Sequence, residues 1–103
     1  MPDASTLARA HQAMAAGDAA TALSLAEGLA ARHPADAGVR QLASVAARRL
    51  GRLDAARDHL EAALGIRPGD PNLLNSYANL LLEMGETAVA REVYEASLLA
   101  QPD

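Results

Sequence analysis

Three six-residue segments decide the fold: GDAATA (residues 17–22), GRLDAA (51–56) and GETAVA (85–90). Each begins 34 residues after the one before it, so their first glycines and last alanines fall into two columns. A third column at the same spacing holds Pro34, Pro68 and Pro102. Glycine and proline punctuate secondary structure, so three columns in phase indicate a structural repeat of 34 residues.

The composition favours helices along the whole chain. Half of the 103 residues are apolar, yet the chain contains two Tyr, no Phe and no Trp, and most of its apolar residues are Ala and Leu. Aromatic and β-branched residues, which favour strands, are therefore scarce, whereas Ala and Leu are strong helix formers. The length suits a single domain. We predict one all-α domain.

Turn signals divide the chain into six helices, and their predicted ranges are 5–16, 20–32, 38–50, 54–66, 72–84 and 88–100. Gly17, Gly51 and Gly85 end the first helix of each pair, because glycine adopts the left-handed C′ conformation without a Cβ penalty. Asp36 and Asp70 precede helices at N-cap positions, and Pro71 follows at N1. The connections are short, so neighbouring helices are expected to be antiparallel.

A 34-residue unit of two helices with these Gly, Ala and Pro columns resembles the tetratricopeptide repeat family. The resemblance covers nearly the whole chain as three repeats, 3–36, 37–70 and 71–103, in one domain spanning 1–103. It implies a right-handed superhelical α-solenoid of three antiparallel helix pairs, with the first helix of each pair lining the concave side. In the third pair, the predicted packing stripes are Leu74, Tyr77, Ala78 and Leu81 on one helix and Ala90, Tyr94, Ser97 and Leu98 on the other.

The concave groove is where a binding function is expected. Helical spacing and the resemblance assign these residues to it: Leu7, His11, Met14, Gln41, Val45, Arg48, Arg49, Asn72, Asn75, Asn79, Leu82 and Glu83. The groove begins apolar, becomes cationic at the two arginines and ends in a row of three asparagines. A carboxamide both donates and accepts hydrogen bonds, which suits recognition of a peptide backbone. The alternative, that Asn72 is only a first-turn residue and the other two are merely solvated, stays open.

One ligand of the family can be tested on individual residues. Co-chaperone members hold a C-terminal carboxylate with lysine, arginine and asparagine side chains on their first helices. The corresponding positions here are Leu7, His11, Leu42, Asn72 and Ser76, none of which is cationic. The resemblance therefore predicts no carboxylate clamp.

Residue types also argue against catalysis. The chain has no lysine for a P-loop, no G-x-G-x-x-G and no cysteine. His11, His33 and His59 occupy three different repeat positions on different faces, so we expect no metal site. No serine stands at nucleophile-elbow spacing. We predict no enzyme activity, no catalytic residue and no cofactor.

Charge and hydropathy narrow the partners. Arg48, Arg49, Arg52 and Arg57 form a local basic cluster, but the net charge is −4 and acidic residues lie between them. Intrahelical ion pairs with Asp54, Asp58 and Glu61 are favoured over a nucleic-acid site. The N-terminus has no signal-peptide pattern and no apolar run reaches 18 residues. We expect a cytoplasmic protein that contacts neither nucleic acid nor membranes.

The principal hypothesis is a scaffold that binds an extended or helical segment of a protein in the groove. Asp103 stops within a loop, so the sequence is expected to be the N-terminal part of a longer protein, and its Ala and Arg bias is typical of bacteria. One alternative is a non-catalytic N-terminal repeat module of a larger, transferase-like bacterial enzyme. The other is a self-association scaffold, in which Tyr94 and Leu98 of the last helix mediate a homodimer.

Overall fold

The computed structural model describes residues 2–100, which form six α-helices joined by short turns. Their bounds are α1 Pro2–Ala15, α2 Ala19–Arg32, α3 Ala37–Arg49, α4 Leu53–Ile66, α5 Pro71–Glu83 and α6 Thr87–Leu99. The predicted all-α class is confirmed, and every predicted bound lies within one residue of the observed one except the start of α1, which lies three residues earlier. Pro102, and with it the end of the third predicted repeat, lies outside the described residues.

The turns within the helix pairs are built as the glycine column predicts. Gly17, Gly51 and Gly85 have φ values of 80°, 75° and 82°, a region that costs a residue with a Cβ about 1 kcal/mol or more. The same turn closes by backbone hydrogen bonds, as in Gly17 N to Met14 O (3.1 Å) and Asp18 N to Ala13 O (2.8 Å). These bonds satisfy carbonyls that the end of the helix would otherwise leave unpaired.

Aspartate side chains begin three of the helices. The predicted caps are confirmed, because Asp36 Oδ1 accepts from Val39 N (3.1 Å) and Asp70 Oδ1 accepts from Leu73 N (3.2 Å). Pro71 stands at the start of α5 as predicted. Asp18 caps α2 in the same way, by accepting from Thr21 N (3.1 Å), and sequence reasoning missed it. The equivalent residues in repeats two and three are Arg52 and Glu86, which make no side-chain cap. Comparison of the repeats therefore does not reveal an N-cap at this position.

Each helix packs mainly against the helix before it and the helix after it in the chain. This sequential stacking is the arrangement of an α-solenoid, in which neighbouring units bury the apolar face that one helix pair cannot cover alone. The described part of the chain measures 39 × 26 × 22 Å along its principal axes. None of its helices combines the length and the apolar content that a membrane span requires.

The third pair packs differently from the predicted stripes. Ala78 and Leu81 of α5 are buried as predicted, but so are Leu73 and Leu80, which the prediction left out. Leu73 and Leu80 belong to the main core cluster with Leu60 of α4. A middle helix of a solenoid contacts a neighbour on each side and therefore needs two apolar stripes, whereas the prediction allowed for one.

At the far side of the third pair, the stripe predicted for α6 is also incomplete. Ala90 and Ser97 are buried, and Tyr94 is half-buried. Leu98, predicted to pack with them, is 72 % exposed. Leu98 points away from α5. It lies on the side of α6 that corresponds to the side of α2 and α4 on which the next repeat packs.

Candidate functional site

The first helices of the second and third pairs share one surface. A depression of about 410 Å³ lies between α3 and α5 and is lined by Val45, Arg48, Arg49 and Glu83. Four of the twelve predicted groove residues therefore meet at one place. Because they come from equivalent faces of two successive repeats, this surface has the position that the resemblance assigns to the groove.

The charge of this depression is lower than the sequence suggested. Arg48 Nε donates to Glu83 Oε1, and the two side chains form an ion pair between α3 and α5. The sequence predicted a groove that is cationic at Arg48 and Arg49, and this pair neutralises the charge of Arg48. Arg49 has no ion pair within the described part of the chain. The depression therefore contains one neutralised ion pair and one unpaired cation, Arg49. The sequence signal that was missed is the opposite charge of two residues in adjacent repeat columns.

The predicted asparagine row of α5 is divided into two parts. Asn72 and Asn75 are exposed, and among residues 2–100 their side chains have no hydrogen-bond partner. Asn79 is half-buried, and its Oδ1 accepts a hydrogen bond from the Tyr94 hydroxyl of α6. The Tyr94 hydroxyl takes one of the two lone pairs of the Asn79 oxygen, so less of this carboxamide is open to a ligand. Among the described residues, Asn72 and Asn75 are the members of the row whose carboxamides are free to donate and accept.

The remaining predicted groove residues differ in exposure. Leu7 is half-buried against a small core cluster of Leu29, Ala30 and Val39. Met14 packs partly against the main core, so both residues contribute to packing as well as to the surface. Gln41 is half-buried, whereas His11 and Leu82 are exposed. The depression between α3 and α5 does not include the first-helix positions of repeat one.

A polar cluster between repeats one and two was missed by sequence reasoning. The buried ring of His59 in α4 lies between Glu27 of α2 and Arg40 of α3, with Nε2 at 3.0 Å from the Glu27 carboxylate and Nδ1 at 3.4 Å from Arg40 Nη1. A guanidinium only donates and a carboxylate only accepts, so these partners fit a ring that carries its proton on Nε2. The buried Nε of Arg40 has no partner among the described residues.

A second polar cluster joins repeats two and three. The Tyr77 hydroxyl of α5 donates to Glu61 of α4 at 2.7 Å, and this hydrogen bond lowers the pKa of the Glu61 carboxyl. Burial, followed by the same bond, raises the pKa of Tyr77. Arg57 pairs with Glu61 at 3.1 Å, which confirms one predicted intrahelical ion pair, and also reaches Glu86 at 2.9 Å.

A third cluster fixes the beginning of α1. Asp3 accepts from Arg32 (3.1 Å) and from the ring of His33, both at the end of α2. The hydrogen bond from His33, together with the Arg32 charge, lowers the pKa of the Asp3 carboxyl. The three histidines lie in separate environments, and residues 2–100 contain no group of three His, Asp or Glu side chains arranged to hold a metal ion.

Family comparison agrees with the repeat period. Two family models described as tetratricopeptide repeat match the chain, one over residues 7–71 and the other over residues 47–103. Each covers more than half of the chain. No curated protein sequence matches it.

Solved structures of similar fold include a point mutant of MamA, with a TM-score of 0.91 at 22 % identity, covering 99 % of this chain and 74 % of that one. MamA MSR-1 has a TM-score of 0.88 at 25 % identity and covers 96 % of this chain and 58 % of its own. The Sgt2 TPR domain from Aspergillus fumigatus has a TM-score of 0.88 at 19 % identity, with coverages of 96 % and 66 %. The chain thus spans between about half and three quarters of the length of these structures, and identities this low show the fold alone.

Proposed function

The chain belongs to the tetratricopeptide repeat family, and we propose that it is a non-catalytic scaffold that binds an extended or helical protein segment on the surface shared by α3 and α5. The observation that carries the proposal is the depression of about 410 Å³ between these helices. A concave site with a few convergent polar groups is the usual form of a binding site. The predicted groove residues of repeats two and three surround it.

The chemistry of this surface suits a segment with at least one acidic side chain. On this surface, Arg49 is a cation that no described residue neutralises, and it lies beside the Arg48–Glu83 pair. An incoming carboxylate can bind Arg49, while Glu83 already holds Arg48. A cationic segment would meet Arg49 with repulsion and would have to displace Arg48 from Glu83.

Apolar and amide groups beside this charge extend the contact. Val45 and Leu82 are exposed apolar side chains on the same surface, 37 % and 44 % accessible. The exposed Asn75 adds a carboxamide that donates and accepts, which a peptide backbone can satisfy without regard to its side chains. We therefore expect a segment in which an acidic residue stands near an apolar one.

The test selects short random peptides, displayed on phage, against the protein. We expect the selected peptides to be enriched in Asp and Glu, and Arg49→Gln to weaken their binding more at low salt than at high salt, because it removes a screened charge interaction. Asn75→Ala removes neutral hydrogen bonds and should cost about 0.5 to 1.5 kcal/mol of binding free energy at either salt concentration. Isothermal calorimetry measures both effects.

Arg52→Gln is the matched control, because Arg52 is an exposed arginine of the same basic cluster that lies outside the depression. It should leave the affinity unchanged. Peptides that bind wild-type protein, Arg49→Gln and Asn75→Ala equally well would overturn the proposal.

A second function, self-association through the last helix, is supported by a specific exposure. Leu98 and Leu99 are 72 % and 86 % exposed. In the repeat column of Leu98, Ala30 is buried in one cluster with Val39 of the following repeat, and Leu64 is half-buried against the main core. Tyr94 is half-buried beside them. We propose that a second copy of the chain covers this surface.

A further inference from the structure

Four exposed residues of α6 form a straight seam. Ala88, Arg91, Glu95 and Leu98 follow one another at spacings of three, four and three residues. This is the spacing with which one helix meets another along a coiled-coil contact. The two middle positions carry opposite charges, and the two outer positions carry a small and a large apolar side chain.

The order of these side chains is complementary to itself when the helix is reversed. In an antiparallel pair of α6 helices related by a two-fold axis, Arg91 lies opposite the partner's Glu95, and Leu98 lies opposite the partner's Ala88. The two-fold axis repeats each contact, as every isologous interface does. A parallel pair would instead place each charge opposite its own copy, which is repulsive.

The surface of α6 already provides the complement for Leu98. A depression of about 580 Å³ is lined by Thr87, Ala88, Arg91, Glu92 and Glu95. The small side chain of Ala88 leaves room there for a large apolar one. Arg91 and Glu95 make no ion pair with any of the residues that the structure describes, so each is available to an incoming charge.

The opposite end of the molecule is less complementary to Leu98 than a second α6 is. α3 and α5 contact the preceding repeat through residues at three equivalent repeat positions. In α1 these positions are occupied by Ser5, Arg9 and Gln12, which are all exposed. Head-to-tail stacking of α1 on the α6 of another copy would therefore set polar side chains where α3 and α5 present Val39, Ala46, Leu73 and Leu80. Leu98 would then lack an apolar partner, whereas the partner's Ala88 provides one in the two-fold pair.

We propose that the protein forms a two-fold symmetric homodimer through antiparallel α6 helices, with Arg91 paired to the partner's Glu95 and Leu98 seated on the partner's Ala88. The proposal rests on the self-association put forward above and adds its geometry. The contact is one helix of about 20 Å on each side. Stable interfaces bury roughly 1,200 to 2,000 Å², so this contact of one helix on each side should form a weak dimer that is populated only at high protein concentration.

Analytical ultracentrifugation of the protein over a concentration series tests the association. Leu98→Glu should raise the dissociation constant at least about tenfold, because it places a carboxylate in the apolar contact. Val89→Glu is the matched control, since Val89 is an exposed apolar residue of α6 outside the seam. It should leave the dissociation constant within about twofold of wild type.

Cysteine cross-linking tests the register. The sequence has no native cysteine, so any disulfide must form between the introduced residues. In the antiparallel register the two copies of Leu98 lie roughly 15 Å apart along the axis, from a rise of about 1.5 Å per residue, which is beyond the reach of a disulfide. Leu98→Cys alone and Ala88→Cys alone should therefore remain uncrosslinked under mild oxidation. An equal mixture of the two variants should form the heterodisulfide.

The possible results separate the two levels of the proposal. Protein that stays monomeric at millimolar concentration overturns both the self-association and its geometry. A dimer that Val89→Glu weakens as much as Leu98→Glu does overturns the assignment to the seam. A dimer in which Leu98→Cys cross-links to itself, while the mixture forms no heterodisulfide, leaves self-association standing and overturns the antiparallel register.

Discussion

The joint between repeats one and two and the joint between repeats two and three use the same columns but different side chains. In the first, α3 presents Val39, Ala43 and Ala46 to α2. In the second, α5 presents Leu73, Tyr77 and Leu80 to α4. We call them the alanine joint and the leucine joint. The contact between α2 and α3 is more extensive than the contact between α4 and α5, as smaller side chains at a helix contact allow.

The difference shows that one repeat period accommodates two ways of filling the space between helices. The alanine joint is built from small side chains over an extensive contact, and the leucine joint is built from large ones. Each joint also contains its own polar cluster, based on a glutamate in the same column: Glu27 binds His59, and Glu61 binds Tyr77. Glu95 continues the column on α6, where no described residue binds it. The backbone pattern is thus repeated, while the packing solution is local.

The largest effect is expected from emptying the leucine joint. Leu80 is completely buried in the main core, and Leu80→Ala should lower the free energy of unfolding by about 2 to 5 kcal/mol, through lost transfer energy and the cavity left behind. Urea unfolding followed by circular dichroism measures the change. Leu82→Ala on the exposed face of the same helix is the control and should cost far less. Equal losses for the two variants would show that the leucine joint is not filled by Leu80.

Filling the alanine joint is the reciprocal experiment. Ala46 stands in the column of Leu80 and is completely buried. Ala46→Leu should destabilise the fold by about 1 to 3 kcal/mol, because a closely packed interface must separate to admit the larger side chain. Val45→Leu, one residue away on the exposed surface, serves as the control in the same urea titration. If Ala46→Leu were neutral or stabilising, the two joints would be interchangeable and the distinction between them would fail.

The polar cluster of the leucine joint gives a smaller, pH-dependent effect. Tyr77→Phe removes the hydrogen bond to Glu61 and should cost about 1 kcal/mol at pH 7, a figure that takes account of the partial exposure of the pair. The folded-state pKa of Glu61 lies below its ordinary value of 4.5. Its contribution to stability is therefore present above that value and is lost as the pH falls through the folded-state pKa.

At alkaline pH the sign is reversed, because the pKa of Tyr77 is raised above its ordinary value of 10.0. The contribution of the neutral phenol is present below that value and is lost as the pH rises through the folded-state pKa. The stability difference between wild type and Tyr77→Phe should therefore be largest near neutral pH and shrink at both extremes. Tyr94→Phe is the control: its partner Asn79 does not titrate, so its cost should not change between acidic and neutral pH. An acid-independent cost for Tyr77→Phe would contradict the assignment.

Local signals in the sequence predicted the fold well. Glycine at φ near 80° and aspartate at N-caps are required by backbone geometry alone, so Gly17, Gly51, Asp36 and Asp70 could be assigned without knowledge of any contact. The two stripes of α5 could not be assigned so easily. Which of its leucines face α4 depends on how successive helices stack, and the prediction left out Leu73 and Leu80 for that reason.

The candidate site was harder to predict, because its chemistry depends on pairs of residues that are distant in sequence. Helical spacing correctly placed Arg48 and Glu83 on one surface, and the structure shows that they bind each other there. In the same way, Asn79 was assigned to a ligand although Tyr94 already uses its oxygen. Spacing predicts which side chains share a face, but it does not show which of them satisfy one another.

The smallest effect concerns the column in which repeat one departs from the other two. Gly28 lies within α2, where repeats two and three have Ala62 and Ala96. A Cβ built on Gly28 would have Arg32 Nη1 as its nearest neighbour, at 4.0 Å, which is ordinary contact with a flexible side chain. Gly28→Ala should therefore raise the free energy of unfolding by about 0.5 to 1 kcal/mol, because it reduces the entropy of the unfolded chain and improves helix propensity.

Gly51→Ala is the opposing control, because the positive φ of Gly51 disfavours any residue with a Cβ. It should lower stability by about 1 kcal/mol in the same urea titration, although nothing within 4 Å would touch the new methyl group. Together the two variants distinguish the effect of steric crowding on stability from the effect of backbone conformation. Neither site is crowded, and the two glycines differ in the sign of φ. If Gly28→Ala were destabilising, α2 would need its bare backbone for a close approach, and the alanine joint would extend to a face of α2 that the contacts do not include.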